Sequence, residues 1–96
     1  VLLHILNRSP ASSRVPFDAL RAMGDDDRLL LLEDGVYGAV APLAETFAAI
    51  RGRVFVLKED LVSRGLEHRQ AETMELVDMQ GFVALTEQAI QTVSWY

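Results

Sequence analysis

The chain has no cysteine, a single lysine (Lys58) and only three prolines in 96 residues. Without cysteine there is no disulfide framework, no thiolate metal site and no thiol nucleophile. With Lys58 alone, and the arginines scattered, no basic stripe exists to neutralise phosphates, and the net charge of −5 argues against direct nucleic-acid binding. An anionic membrane surface is equally unsuited. No apolar run approaches the ~20 residues that span a bilayer. "VLLHILNRSP" at the start lacks a basic region before its apolar run and a small-residue cleavage pattern, so it reads as a first strand and not as a signal peptide. The expectation is a soluble, cytoplasmic protein of one domain over residues 1–96.

What is present is apolar. Half of the residues are hydrophobic, high for so short a chain, which hints that some face covers a partner instead of water. Buried parallel sheets raise the apolar fraction too. "LLLLEDGVYGAVA" (Leu29 to Ala41) shows the pattern: four leucines without alternation read as a strand buried on both faces. Val1 to Leu6, apolar except for His4, reads the same way, and the Ser- and Pro-rich "NRSPASSR" after it is a loop.

Helical signals separate the strands. Pro16 suits a first helical turn, with Phe17, Leu20 and Met23 at helical spacing and Gly24 to Asp27 as the closing turn. Pro42 opens a second helix carrying Leu43, Phe47 and Ile50 on one stripe, and Gly52 ends it. "RVFVL" is a third strand. "KEDLVSRG" is a short helix with Glu59 and Asp60 at its start, Arg64 in its last turn and Gly65 as a left-handed cap. "TMELVD" is a more polar fourth strand, nearer an edge. Asp78 caps a last helix carrying Phe82, Leu85 and Ala89, and "TVSWY" is a short fifth strand. Strands alternating with helices predict an α/β fold with a parallel sheet covered on both faces. Ligands and partners of such sheets collect at the carboxyl ends of the strands. That rim holds Asn7 to Pro10, Glu33 to Gly35, Lys58 to Asp60, and Asp78.

The rim does not spell out a catalytic set. Glu33 and Asp34 could serve acid/base work or hold a hard cation, but consecutive strand residues point to opposite faces. A polar strand exit with Asp34-Gly35 as a turn explains them more simply. A phosphorelay receiver would need an acid pair after the first strand, where "NRSP" stands, and a lysine after the last strand, whereas Lys58 follows the third. His4, among apolar residues, fits a neutral core histidine with one hydrogen-bonded nitrogen better than a ligand or base. His68, in the polar "LEHRQAE", fits a solvated side chain, and two such histidines make a weak metal case. Ser9, Ser12 and Ser13 lie in no nucleophile elbow, and capping suits Ser12 or Ser13. No phosphate-binding glycine loop is present. Trp95 and Tyr96 need cover, from the protein's own helices or from a neighbouring subunit.

Taken in order, "LHILNRSP", "LLLLEDGVYGA", "VLKEDLVSRGL", "GFVALT" and "WY" resemble the DsrH/TusB family across Leu2 to Tyr96. The resemblance implies a DsrEFH-like fold, a five-stranded parallel sheet between two helical layers. It implies a small, noncatalytic subunit of a cytoplasmic sulfur-relay complex with TusC/DsrF-like and TusD/DsrE-like partners, a heterohexamer with two copies of each. In one branch such complexes pass persulfide sulfur towards 2-thiolation of the tRNA wobble uridine. In the other they serve sulfur oxidation.

The departure from the pattern is again cysteine. A persulfide carrier needs a nucleophilic thiol. The TusD/DsrE-like subunit has its cysteine after the third strand, where this chain has Lys58, Glu59 and Asp60, and some DsrH members have one on the first helix, near Ala19 here. The expected role is therefore architectural, with no cofactor and no metal. Glu33, Asp34, Gly35, Glu59, Asp60, Arg64, Trp95 and Tyr96 are the candidate contact residues, and a homodimer of the isolated chain is a further expectation. Two other classes compete: a small enzyme using His4 with a rim carboxylate, and a standalone module binding a small anion or nucleotide through backbone N–H groups.

Overall fold

The computed structural model describes residues 1–96. Five strands form one sheet: β1 (Leu2–Leu6), β2 (Arg28–Leu31), β3 (Val54–Leu57), β4 (Glu75–Val77) and β5 (Gln91–Trp95). Every pairing is parallel and the order is β4-β3-β2-β1-β5, so the expected parallel sheet is present and the polar β4 is at an edge. Three α-helices accompany it: α1 (Val15–Ala22), α2 (Lys58–Ser63) and α3 (Met79–Gln88).

The strand order explains where the layers lie. From β1 to β4 each connection steps the same way across the sheet, and from β4 to β5 the chain returns past β1. Parallel crossovers are right-handed, so a reversal of direction puts the connection on the opposite face. The packing agrees. Leu6, Leu29, Leu31, Val54 and Val56 bury one face against Val36, Ala39, Phe47, Ile50 and Leu61 from the connections between β2 and β4, with Leu20 of α1 alongside. Leu3 and Leu30 bury the other face beneath Leu85 of α3, with Ile5, Phe55 and Phe82 partly buried around them. The alternation of Leu29, Leu30 and Leu31 between the two clusters is the period-two geometry of a strand buried on both sides. The two layers are unequal: one face has α1, α2 and the whole β2–β3 connection, the other α3 alone.

Two expected elements differ. In place of an α-helix after Pro42, the chain forms a 3₁₀ helix over Leu43–Ile50 with a kink at Phe47. At three residues per turn, Ala44, Phe47 and Ile50 eclipse one another, and all three pack on the core. Glu33–Ala39, where a turn at Asp34-Gly35 was expected, is a second 3₁₀ helix, and at the same period it buries Val36 and Ala39. On α1, Phe17 is not part of the buried stripe: it is 45% exposed, while Pro16 and Ala19 are buried in its stead.

Candidate functional site

The carboxyl ends of β2 and β3 meet in one corner. Leaving β2, Glu33 has a left-handed backbone (φ 48°) and Gly35 turns inward beneath the end of β1. A Cβ on Gly35 would collide with the Leu6 carbonyl oxygen, so only glycine allows this close approach. Gly35 is enclosed and presents nothing to a partner itself; its part in the rim is the backbone path that sets Glu33 and Asp34 outside. Across from them α2 begins directly at the end of β3.

The charges of this corner bond to one another. Asp60 accepts from the Glu33 N–H at 2.6 Å. Arg64 reaches back to Asp34 Oδ1 with Nε at 3.2 Å and Nη2 at 3.1 Å, and donates through Nη1 to the Asp60 carbonyl. Glu59 accepts from the Met79 N–H, which ties the start of α2 to the start of α3. Gly65 follows with φ 70°, the left-handed cap read from the sequence, and Asp78 caps α3 by accepting from the Gly81 N–H at 2.8 Å. The acids thus act first on their own loops. Glu33 is the exception, exposed and in neither of the ion pairs. A shallow crevice at the ends of β1, β2 and β5 brings it together with Asn7, Trp95 and Tyr96. Glu59 lies apart from that crevice, on the α3 side. Nowhere do three His, Asp or Glu side chains converge as metal ligands would.

The aromatic pair divides. Tyr96 is 74% exposed, while Trp95 packs against the larger core cluster and donates its indole N–H to His4 Nδ1 at 3.0 Å. An indole nitrogen only donates, so Nδ1 is bare and the proton of the neutral imidazole sits on Nε2. Nε2–H then donates to Asp27 Oδ2 at 2.9 Å. His4 therefore has both nitrogens bonded, not one, and its carboxylate partner is not on the rim. Asp27 lies at the opposite, amino end of the strands, just before β2.

Asp27 is the residue the sequence reading placed only in a turn. It is buried, and besides His4 it accepts from the Gly24 N–H at 2.9 Å and the Leu2 N–H at 3.0 Å. The Gly24 N–H is the largest influence on its carboxyl, burial opposes it, and His4 and Leu2 add to it; the pKa falls from 3.8 to about 2. Arg53 secures the same turn by donating to the carbonyls of Gly24 and Asp27. With both nitrogens committed and 2% exposure, His4 has no free lone pair to offer a substrate, which removes the enzyme reading built on it. Its burial is the only signal that could have suggested a buried acid as partner. Of the loop serines, Ser13 accepts from the Val15 N–H at the entrance to α1, Ser9 bonds within its own turn, and Ser12 is exposed. His68 is exposed.

The model of the family described as DsrH like protein matches residues 8–92 of the chain. Protein TusB of Escherichia coli K12 is 37% identical over 97 residues, an alignment covering 98% of this chain and 100% of that protein. Protein TusB of Escherichia coli O81 matches at the same identity and coverage. Among solved structures, the ychN protein of Escherichia coli superposes with a TM-score of 0.77 at 18% identity, covering 97% of each chain. Protein Tm0979 of Thermotoga maritima gives 0.66 at 20% identity, over 91% of this chain and 92% of its own. These two share the fold.

Proposed function

Because the chain belongs to the DsrH family and aligns with TusB proteins from end to end, we propose that it is a noncatalytic subunit of a sulfur-relay complex that serves 2-thiolation of the tRNA wobble uridine. The observation that carries the noncatalytic part is the absence of any cysteine. Sulfane sulfur moves by thiolate attack on a persulfide, and no side chain here can replace that thiolate. The site after β3, where a carrier would need its thiol, is occupied by Lys58 and by the acids Glu59 and Asp60, which fasten loops. The TusB likeness favours the tRNA branch over sulfur oxidation.

The partners in this reading are two related subunits, one TusC-like and one TusD-like, the latter bearing the reactive cysteine. Two copies of each subunit would make the heterohexamer. The rim crevice is the surface through which this chain would meet them, with Glu33 on its lining and the exposed Asp34 next to Glu33 in the chain. Charge there would serve subunit register more than affinity.

Co-expression with both sister subunits tests the reading. The chain is expected to co-purify with them in equal proportion. After incubation with a radiolabelled persulfide donor, label is expected on the cysteine-bearing sister and none on this chain. A chain that purifies without either sister, or label covalently held by this chain, overturns it. Glu33→Arg is expected to weaken co-purification without lowering thermal stability, since the Glu33 side chain is in neither ion pair.

A further inference from the structure

The two edges of the sheet are built differently. β4 is three residues long and carries Glu75. Short strands and charges are the usual defences of an edge against pairing with another strand. β5 has none of them. Gln91 to Trp95 contains no charged residue and no proline, and its register against β1 runs from Leu2–Gln91 to Leu6–Trp95 without a bulge. The elements packed most closely on it are β1, its one neighbour in the sheet, and α1. Its outer backbone groups therefore face open space, and another extended strand satisfies them.

Two large apolar side chains flank this edge. Ile90, just before β5, is 80% exposed, and Tyr96, just after it, is 74% exposed, the two most exposed large hydrophobics of the chain. Thr92 and Ser94 register with Leu3 and Ile5, which face α3. By strand alternation Ile90 and Tyr96 project to that same, thinly covered side.

We propose that two copies of this chain pair through β5, antiparallel about a two-fold axis at Val93, giving one continuous ten-stranded sheet. An antiparallel strand pair is self-complementary under a two-fold, as an isologous contact must be. Centring it on Val93 sets Ile90 of one copy opposite Tyr96 of the other, so each exposed hydrophobic covers its counterpart. The same register sets Thr92 opposite Ser94 and Gln91 opposite Trp95. No like charges meet, although each copy carries −5 overall, because the strand itself is uncharged. Every residue of the strand thus meets a compatible side chain in this one register. The pairing rests on the edge and its flanking side chains, and it holds whether or not the sulfur-relay reading does.

Sedimentation equilibrium of the purified full-length chain reads the association directly, and the expected mass is that of a dimer. Thr92→Lys/Ser94→Lys places like charges opposite each other in both cross-strand pairs and is expected to weaken the dimer about tenfold or more. Thr92→Lys/Ser94→Glu sets opposite charges against each other in the same register and is expected to keep it. Both positions are exposed, and circular dichroism checks that each variant stays folded. A wild-type chain that remains monomeric, a dimer indifferent to the double lysine variant, or equal weakening by both variants overturns the proposal. Co-purification of wild-type chain with its sister subunits plays no part in these outcomes, so failure here is separate from failure of the functional reading.

Discussion

Two aspartates, one at each end of the strands, show how differently the same carboxylate can matter. Asp34 on the carboxyl rim accepts two bonds from Arg64, and its side chain is 68% exposed. Asp27 at the amino end accepts three, from His4, Leu2 and Gly24, and is 7% exposed. Their bond lengths are similar. The surroundings are not: water screens the first pair and replaces it when it opens, while the second is shielded and has no substitute. The rim acids are the ones a reader of the sequence sees, since they stand out against leucine runs. The acid that secures the fold is hidden in the run "GDDD".

Removing Asp27 is therefore the largest expected effect. Asp27→Ala leaves two backbone N–H groups and the His4 Nε2–H without their acceptor, a cost of about 3 kcal/mol. Urea unfolding measures it, and a loss under about 1 kcal/mol would break the contrast with the rim. The acid limb of the stability curve gives a second reading. The folded carboxyl has its pKa lowered from 3.8 to about 2. Its contribution is complete above the unfolded value and is lost as pH falls through the folded one. Stability of the wild-type chain should therefore slope downward between about 4 and 2, and Asp27→Asn should lack that component of the slope.

The contrast also marks what a sequence can disclose. The strands were legible because residues such as Leu29 to Leu32 are apolar without alternation, a local property. The caps at Gly65 and Asp78 were legible for the same reason: each bonds within a few residues. The 3₁₀ path of Leu43–Ile50 was not, because apolar residues three apart fit both helix types until the sheet beneath decides between them, and at Glu33–Ala39 only the turn at Asp34-Gly35 was legible. Phe17 misled because helical spacing names a stripe and not which stripe faces in. His4–Asp27 was out of reach, for the partners are 23 positions apart and meet only once β1 and β2 pair. The side-by-side placing of these strand ends follows from the parallel topology, yet how far the charges there bond to one another depends on where Arg64 lands.

Gly35 sharpens the comparison by putting a dry position at the wet end. If burial and not location decides, Gly35→Ala should be costly while its neighbour Asp34→Ala is cheap. The added methyl meets the Leu6 carbonyl oxygen, a backbone atom that cannot swing aside, and β1 or the 3₁₀ helix must shift. The expected loss is about 2 kcal/mol in thermal or urea unfolding. A neutral result would mean that the end of β1 is far softer than its burial suggests.

Trp95→Phe tests the other link of the buried chain with a smaller expected loss, about 1 kcal/mol. The ring that packs on the core is largely kept and only the indole N–H is removed, leaving His4 Nδ1 without a donor. Nitrogen NMR of the imidazole supplies a direct check. In the wild-type chain Nδ1 should carry the signature of a bare acceptor and Nε2 that of a protonated nitrogen. The reverse assignment would remove the Trp95 bond and with it the reason why the two ends of this network act as one.

The smallest effect belongs to the pair that looks most like a salt bridge. Arg64 touches Asp34 with two nitrogens and the Asp60 carbonyl with a third, and the Asp34 side chain stays largely in solvent. Ordering a long side chain there offsets most of what the attraction returns, so a double-mutant cycle between Arg64→Ala and Asp34→Ala should give a coupling below about 0.5 kcal/mol. Molar salt should shrink it further, because the screening length then falls to about 3 Å. A coupling of 2 kcal/mol or so, insensitive to salt, would require the rim to be shielded in the free chain. The wet end would then be as structural as the dry one, and its acids would no longer be available to a partner without unfolding the corner that holds them.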